Sequence, residues 1–423
     1  MTNSTGGSIE TAVRHVLSNG VVALVQRNGT APTVSVRGEI RVGAVFEPAE
    51  KSGLAAFTGA ALIRGTQHHS FQDIVGSTEA VGASVNAGGG VHTTGFGGKS
   101  LAEDLPLVLG LLAEMIGAPT FPAIEVERLR GQFLMGLREN EQDTRVQASR
   151  EVRSLLFPPE HPYSRVSSGT VDTVATIVRS DLVAFHRLFH PQLTTIAVVG
   201  AIEPQAVIAQ LEQVFGGWRV DGVPREQQLP PATTLAGVTR HHIEVSGKSQ
   251  SDIVYAVHGL TRAAPDFYAA SIANMILGRI GMGGRLGENV RERQGLAYYC
   301  GSSFDADIGA GPWAALAGVN PRDIDTAIEA ILHEIALFVR EGPTDEEVAD
   351  ARDFMTGSTV LGLETSDGIA GTLLGIERYG LGFDYIRRYP SIIRGISHDE
   401  IVTAARTYLS TSDCVIVSAG QSN

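Results

Sequence analysis

Val34, Val36, Ile40 and Val42 alternate with polar or small neighbours, which predicts a half-buried strand. Val21 to Val25 predicts another just before it. Glu47, Pro48 and the Lys51–Ser52–Gly53 segment then break the pattern, and a helix is expected from about Leu54. Ser100 to Glu103 has the Ser-x-x-Glu spacing of a capping box. It predicts the start of a helix with an apolar face of Leu105, Val108, Leu109, Leu112 and Ile116, ending at Gly117 and Pro119. A long polar-faced helix is expected over Glu125 to Leu155, then a loop at Phe157–Pro158–Pro159. A helix near Arg179 to Phe189 and a strand over Thr194 to Val199 complete this half.

The second half repeats the plan. Ile253, Tyr255 and Val257 alternate as a strand does. Asn320–Pro321 predicts a helix start, and Ile324, Ile328, Ile331, Ile335 and Phe338 follow at helical spacing. Gly342–Pro343 ends that helix, and another is expected from about Asp345. Glu127 to Phe133 echoes Val348 to Phe354, and Thr195 to Gly200 echoes Cys414 to Gly420, in the same order. An internal duplication of roughly 210 residues accounts for both echoes. Val220 to Gly237, with Pro230–Pro231, reads as the linker. Strands and helices mixed within each half predict two α/β or α+β domains: an N-terminal one over 1–220, a linker over 221–237 and a C-terminal one over 238–423.

The chain of 423 residues is long enough for two cores. Its 33 basic and 46 acidic residues leave a net charge of −13, with no long basic run, so nucleic acid and anionic membranes are poor partners. An acidic surface suits solubility or cationic partners. Two cysteines, Cys300 and Cys414, imply no disulfide framework and fit a reducing cytoplasm. Met1 to Ile9 is polar and lacks the apolar stretch of a secretory signal. No run approaches the roughly 20 apolar residues of a membrane span.

The segment Gly53 to Thr66, GLAAFTGAALIRGT, resembles the pattern G-x-A-H-F-x-E-H-x-x-x-x-G-T of the pitrilysin-like zinc peptidases, the inverzincins. In that family the two His lie four apart on a helix and bind zinc, and the Glu activates the bound water. Here the His positions are Ala56 and Ala60 and the Glu position is Gly59. The Glu that completes the zinc ligands from the following helix falls near Gly136. None of these four residues can ligate a metal or move a proton.

Gly283 to Tyr298, GGRLGENVRERQGLAY, resembles the family's second signature, in which an Arg and a Tyr seven residues later face the zinc across a chamber. Arg291 and Tyr298 fit that spacing. The resemblance, in layout from about Val16 to Gly420, implies an α+β fold: two homologous α/β-roll domains, each a mainly antiparallel sheet covered by helices, forming half of a peptidase chamber. In mitochondrial-processing-peptidase-like heterodimers one subunit keeps H-x-x-E-H and the other the Arg/Tyr pair. This chain matches the second type. It would hold no cofactor, be inactive alone, and pair with a homologous H-x-x-E-H subunit that carries the zinc and with a peptide substrate. A homodimer without that partner is also open. Arg291 and Tyr298 would supply substrate binding and oxyanion stabilisation. Gly278, Gly281, Gly283 and Gly284 would form a substrate-contacting loop, with a plain tight turn as the rival.

Other readings remain. Arg291 belongs to an Arg-Glu-Arg run that could simply be solvated, with Tyr298 packed in a core. The chain could be an inert scaffold or peptide-binding protein of the same fold, or an unrelated hydrolase. Gly98–Lys99–Ser100 fails as a phosphate loop, because the required Gly is Thr93. His186 and His190 have metal-pair spacing, but Pro191 ends the helix. The pairs His68–His69 and His241–His242 are adjacent, so neither shares a helix face. Cys300 reads as a small buried residue.

Overall fold

The computed structural model describes residues 9–222 and 229–421. Residues 1–8 of the polar N-terminal stretch and 223–228 of the expected linker lie outside the described residues. The chain forms two compact units. One comprises Met1–Leu137, Ser167–Gln228 and Thr359–Arg387; the other comprises Arg138–Val166, Leu229–Ser358 and Arg388–Asn423. The expected division at 221–237 separates the halves of the sequence, and each compact unit takes a segment from the opposite half.

The first unit holds β1 (Val13–Val16), β2 (Val22–Arg27), β3 (Thr33–Ile40), β4 (Ser84–Gly89), β5 (Thr94–Leu101) and β6 (Thr194–Gly200), in the order β1-β2-β6-β3-β5-β4. Among these strands β2 and β6 pair in parallel and the rest antiparallel. One face of the sheet, with Val34, Val36, Ile40, Ile196 and Val198, packs on Leu105, Val108, Leu109, Leu112 and Ile116 of the Leu105–Gly117 helix. Leu24, Ala197 and Val199 point to the other face. They are buried by Ile369, Ala370 and Leu373 of the Ser366–Arg378 helix, which comes from the second half of the sequence. Burial on both faces is why β2 and β6 read as near-continuous apolar runs. Two ion pairs tie the helix to β3, Arg378 to Glu39 and Arg37 to Asp367.

The second unit holds β7 (Val238–Glu244), β8 (Ser251–His258), β9 (Ala297–Ala306), β10 (Ala310–Val319) and β11 (Cys414–Gly420), in the order β7-β11-β8-β10-β9. Reading β2, β6, β3, β5 and β4 against β7, β11, β8, β10 and β9 matches the two orders strand for strand, with β1 added in the first unit. The parallel pair recurs as β7 with β11. Ile253, Tyr255 and Val257 face a core shared with Ile328, Ile331, Ile335 and Phe338. The opposite face carries Asp252, whose carboxylate accepts from Thr144 Oγ1 on the Thr144–Leu156 helix, a helix from the first half of the sequence. The duplicated halves have thus exchanged equivalent helices between sheets.

Two expectations are corrected. The long helix over Glu125 to Leu155 is two helices, Ala123–Asn140 and Thr144–Leu156, separated where Asp143 caps the second by accepting from Val146 N. The Ser100–Glu103 capping box does not form. Ser100 lies within β5 with its hydroxyl on Leu101 O, and a short 3-10 turn over Ala102–Asp104 precedes the helix. Among the described residues no helix is long and apolar enough to cross a membrane.

Candidate functional site

In the first unit, β3 leads through two short 3-10 turns to Gly53, whose φ of 94° starts the Leu54–Ala61 helix. The buried Glu47 caps that helix: its carboxylate accepts from Gly53 N at 3.0 Å and Ala55 N at 2.9 Å. Phe57 points into the core and meets the Phe133 ring edge-on at 5.1 Å. The turn carrying Ala55, Ala56 and Gly59 lies against Gly88 and Gly89 of β4. A Cβ on Gly59 would stand 2.2 Å from Gly89 N, and one on Gly89 would stand 2.1 Å from Ala55 O. Helix and strand therefore meet backbone to backbone. Gly136 lies on the Ala123–Asn140 helix with open space where its Cβ would be. Ala56, Gly59, Ala60 and Gly136 offer no donor to a metal, and the contact with β4 leaves no room for a side chain at Gly59. The residues present do not fit a zinc ion here.

In the second unit Arg291 and Tyr298 sit on consecutive elements. Gly287–Arg293 is a π-helical turn, a rare form that is frequent at functional sites. Gly295, at φ 63°, closes it: Gly295 N donates to Arg291 O at 3.1 Å and Leu296 N to Val290 O at 3.0 Å. The chain then enters β9. Against β10, Tyr299 pairs with Gly318 and Ala297 with Val319, so Tyr298 is the extra residue of a bulge. A bulge re-aims its side chain, and Tyr298 is 60% exposed. Arg291 makes a loose 3.5 Å contact with the neighbouring Glu292. The reading of Tyr298 as a core residue is not what the fold shows.

Two networks hold these residues in place. Arg285, just before the π turn, donates Nε to Glu347 Oε1 at 2.5 Å and Nη2 to Glu347 Oε2 at 2.6 Å, and lies over the Phe338 ring. Burial opposes ionisation of Glu347, but hydrogen bonds from Arg285 and Thr344 N outweigh it and hold the carboxyl below its ordinary range. Asn289, inside the turn, donates to Glu334 Oε2 at 2.7 Å. On the other side of the bulge Tyr299 donates its hydroxyl to Asp252, and burial followed by that bond pushes the phenol above its usual range. The glycines before the turn pack tightly. Cβ atoms on Gly278, Gly283 and Gly284 would come within 2.3 Å of Ser302 N, Cys300 O and Ile276 O respectively. Gly281, by contrast, faces open space, beside the exposed Met282.

The profile described as the Peptidase M16 inactive domain matches residues 176–355, and that described as Insulinase (Peptidase family M16) matches residues 22–156. The chain belongs to the M16 peptidase family. A crystal structure of a peptidase M16 inactive domain from Pseudomonas fluorescens is 26% identical, with a TM-score of 0.90 over 98% of each chain. An uncharacterized zinc protease of Mycobacterium leprae is 25% identical over 84% of this chain and 79% of its own. The human cytochrome b-c1 complex subunit 1 is 24% identical over 62% of this chain and 54% of its own length.

Within the M16 frame the remaining candidates have structural work. His186 Nε2 bonds Ile116 O at 2.7 Å, and His190 Nδ1 accepts from Gln192 N at 3.2 Å. Lys99 and the glycines around it belong to β5 rather than to a phosphate loop. Burial pushes the Cys300 thiol up to about 12 and the Cys414 thiol up to about 11, so neither is a reactive thiolate. Sequence reading missed Glu47, Arg285, Asp252 and Glu347. Thr344-x-x-Glu347 is itself a capping-box signal, with Glu347 N donating to Thr344 Oγ1 at 3.2 Å. No local pattern marks the other three.

Proposed function

We propose that this chain is the zinc-less subunit of a two-subunit M16 peptidase, forming half of its chamber. One observation carries the reading: the four positions matching the zinc motif are Ala or Gly, while Tyr298 is exposed at a bulge and Arg291 lies on the π turn that precedes it. In this reading zinc and activated water come from a homologous H-x-x-E-H subunit. Tyr298 donates its hydroxyl to the oxygen of the scissile carbonyl as negative charge develops there. Arg291 holds substrate backbone carbonyls with its planar fork. Gly281 and Met282, at the tip of the tight turn built on Gly278, Gly283 and Gly284, contact an extended peptide. A cytoplasmic setting fits the two unpaired thiols.

The test mixes the purified chain with an H-x-x-E-H homologue from the same organism. Peptide cleavage is expected only in the mixture. Arg291→Ala and Tyr298→Phe should each lower turnover about 100-fold with assembly intact. Chelator-sensitive cleavage by this chain alone, or full activity with both variants, refutes the reading. The similarity to a respiratory-complex subunit favours a second reading, an inert scaffold or peptide-binding protein. That reading expects stable complexes in which both residues are dispensable.

A further inference from the structure

Two histidines that the candidate site does not use meet around the Phe157 ring, inside the second unit. His161 stacks on Phe157 with centroids 4.8 Å apart, and His258, the last residue of β8, meets it at 5.2 Å with the planes at 69°. Tyr163 stands edge-on to the same ring at 5.5 Å. Phe157 and His161 are both buried.

Each histidine bonds the described part of the linker. His161 bonds the backbone of Pro230, which has no N–H and only accepts. His161 Nδ1 itself accepts from Tyr163 N at 3.0 Å, so the proton given to Pro230 O is carried by Nε2. His258 Nε2 donates to Thr233 O at 2.7 Å. Among the described residues no backbone-to-backbone bond holds Leu229 to Ala236, so the two ring bonds are the polar anchors of this segment. Just beyond it, Gly237 N donates to Asp413 Oδ1 at 3.0 Å.

These bonds fix both rings as neutral tautomers with a bare Nδ1. A proton on Nδ1 of His161 would face the Tyr163 N–H. Nδ1 of His258 is buried with no hydrogen-bond partner among the described residues, so a proton there would have no acceptor. The surrounding charges do not compensate. Burial, then His258 and Arg165, oppose the charged form of His161 and outweigh Glu160, and its pKa is lowered. Burial lowers that of His258 despite its bond to Thr233. Asp305, Asp307 and Arg153 act on Tyr163, and Arg153 pairs with Asp305 at 2.6 Å.

We propose that His161 and His258 form an acid-released latch, which holds Leu229 to Ala236 on the second unit while both rings are neutral and frees the segment when they are protonated. The docked rings take up protons less readily than free ones. Docking is therefore favoured above the ordinary His value of about 6.5 and weakens as the pH falls below it. Release stops at Gly237, which Asp413 holds, and lengthens the free connection between the two halves of the sequence. Arg291 and Tyr298 take no part, so the latch stands apart from the proposed function.

A nitroxide on Thr234→Cys reads the latch in the full chain. Thr234 is exposed and the native thiols of Cys300 and Cys414 are buried, so the label is selective. Its spectrum should pass from restricted to mobile as the pH falls from about 7.5 to about 5, with a midpoint below about 6.5 and unchanged near-ultraviolet circular dichroism. Deuterium exchange at the Tyr163 amide, corrected for the intrinsic effect of pH, should quicken about tenfold or more over the same range. His161→Gln with His258→Gln keeps an N–H for each carbonyl but does not titrate, so the acid-induced change in the spectrum should be lost. A wild-type label that does not change over this range overturns the proposal, as does a Tyr163 amide equally protected at both ends of it. So does mobility that appears only as the circular dichroism signal is lost, or an acid-induced change that survives in the double variant.

Discussion

In the proposed reading Gly59 stands at the general-base position of the zinc peptidases that the sequence resembles, and its environment makes glycine there a structural matter as well as a chemical one. Any Cβ there would lie 2.2 Å from Gly89 N, closer than packed atoms come. The strand or the helix must move to accept even a methyl group. The helix has little freedom to do so, because Phe57, two residues earlier, is fully buried in the core. Gly59→Ala is therefore expected to destabilise the chain by about 1–3 kcal/mol, the usual cost of overpacking, measured by denaturant unfolding. The same contact bears on restoring the site. Installing Ala56→His, Gly59→Glu, Ala60→His and Gly136→Glu together should give an unstable protein without stoichiometric zinc. Elemental analysis finding one tightly held zinc per chain at unchanged Tm would show that the helix has room after all. Glycine was legible here as missing chemistry, but not as a packing requirement: that depends on β4, whose approach no local pattern encodes.

The π turn and the bulge are elements whose geometry is held from outside. Arg285 grips Glu347, which also caps the Asp345–Leu361 helix through Thr344, so one carboxylate fastens two elements. Its pKa is depressed in the folded state. The stability it contributes is therefore fully present above the ordinary Glu range, and is lost as the pH falls from there through the lower folded value. Glu347→Gln should be less stable than wild type at neutral pH, by about 1–3 kcal/mol, and the gap should narrow on acidification. Thermal melts of both proteins at neutral pH and in mild acid check this; a gap that widens contradicts the assignment. Sequence periodicity did locate most elements at this scale, because faces such as Ile324, Ile328, Ile331 and Ile335 bury one stripe. It failed where a backbone irregularity decides the outcome. The break before Thr144 rests on an Asp143 cap, and Ser100 joined a strand because β5 pairs with β3 through Leu101. The bulge at Tyr298 follows from register against β10, whose partner strand β8 lies far away in the sequence.

At the scale of the molecule, the duplication was legible as echoes between halves, but the exchange of helices was not. An amphipathic helix states that it covers something apolar; it does not state which of two equivalent sheets. The Ser366–Arg378 helix buries Leu24, Ala197 and Val199 in the first unit, and the Thr144–Leu156 helix lies on β8 and β11 in the second. Cutting the chain at the linker separates each sheet from the helix that covers it. Burying a side chain such as Leu24 or Val199 is worth about 1.5–3 kcal/mol, so several uncovered together rival the whole stability of an ordinary domain. Fragments 1–228 and 229–423 are therefore expected to be unfolded or aggregated when made singly. Made together they should regain native near-ultraviolet circular dichroism and co-purify, since the exchanged helices then find their sheets. Two halves that fold alone with cooperative melts would mean that each helix can return to its own sheet, and that the exchange is not needed to complete either core.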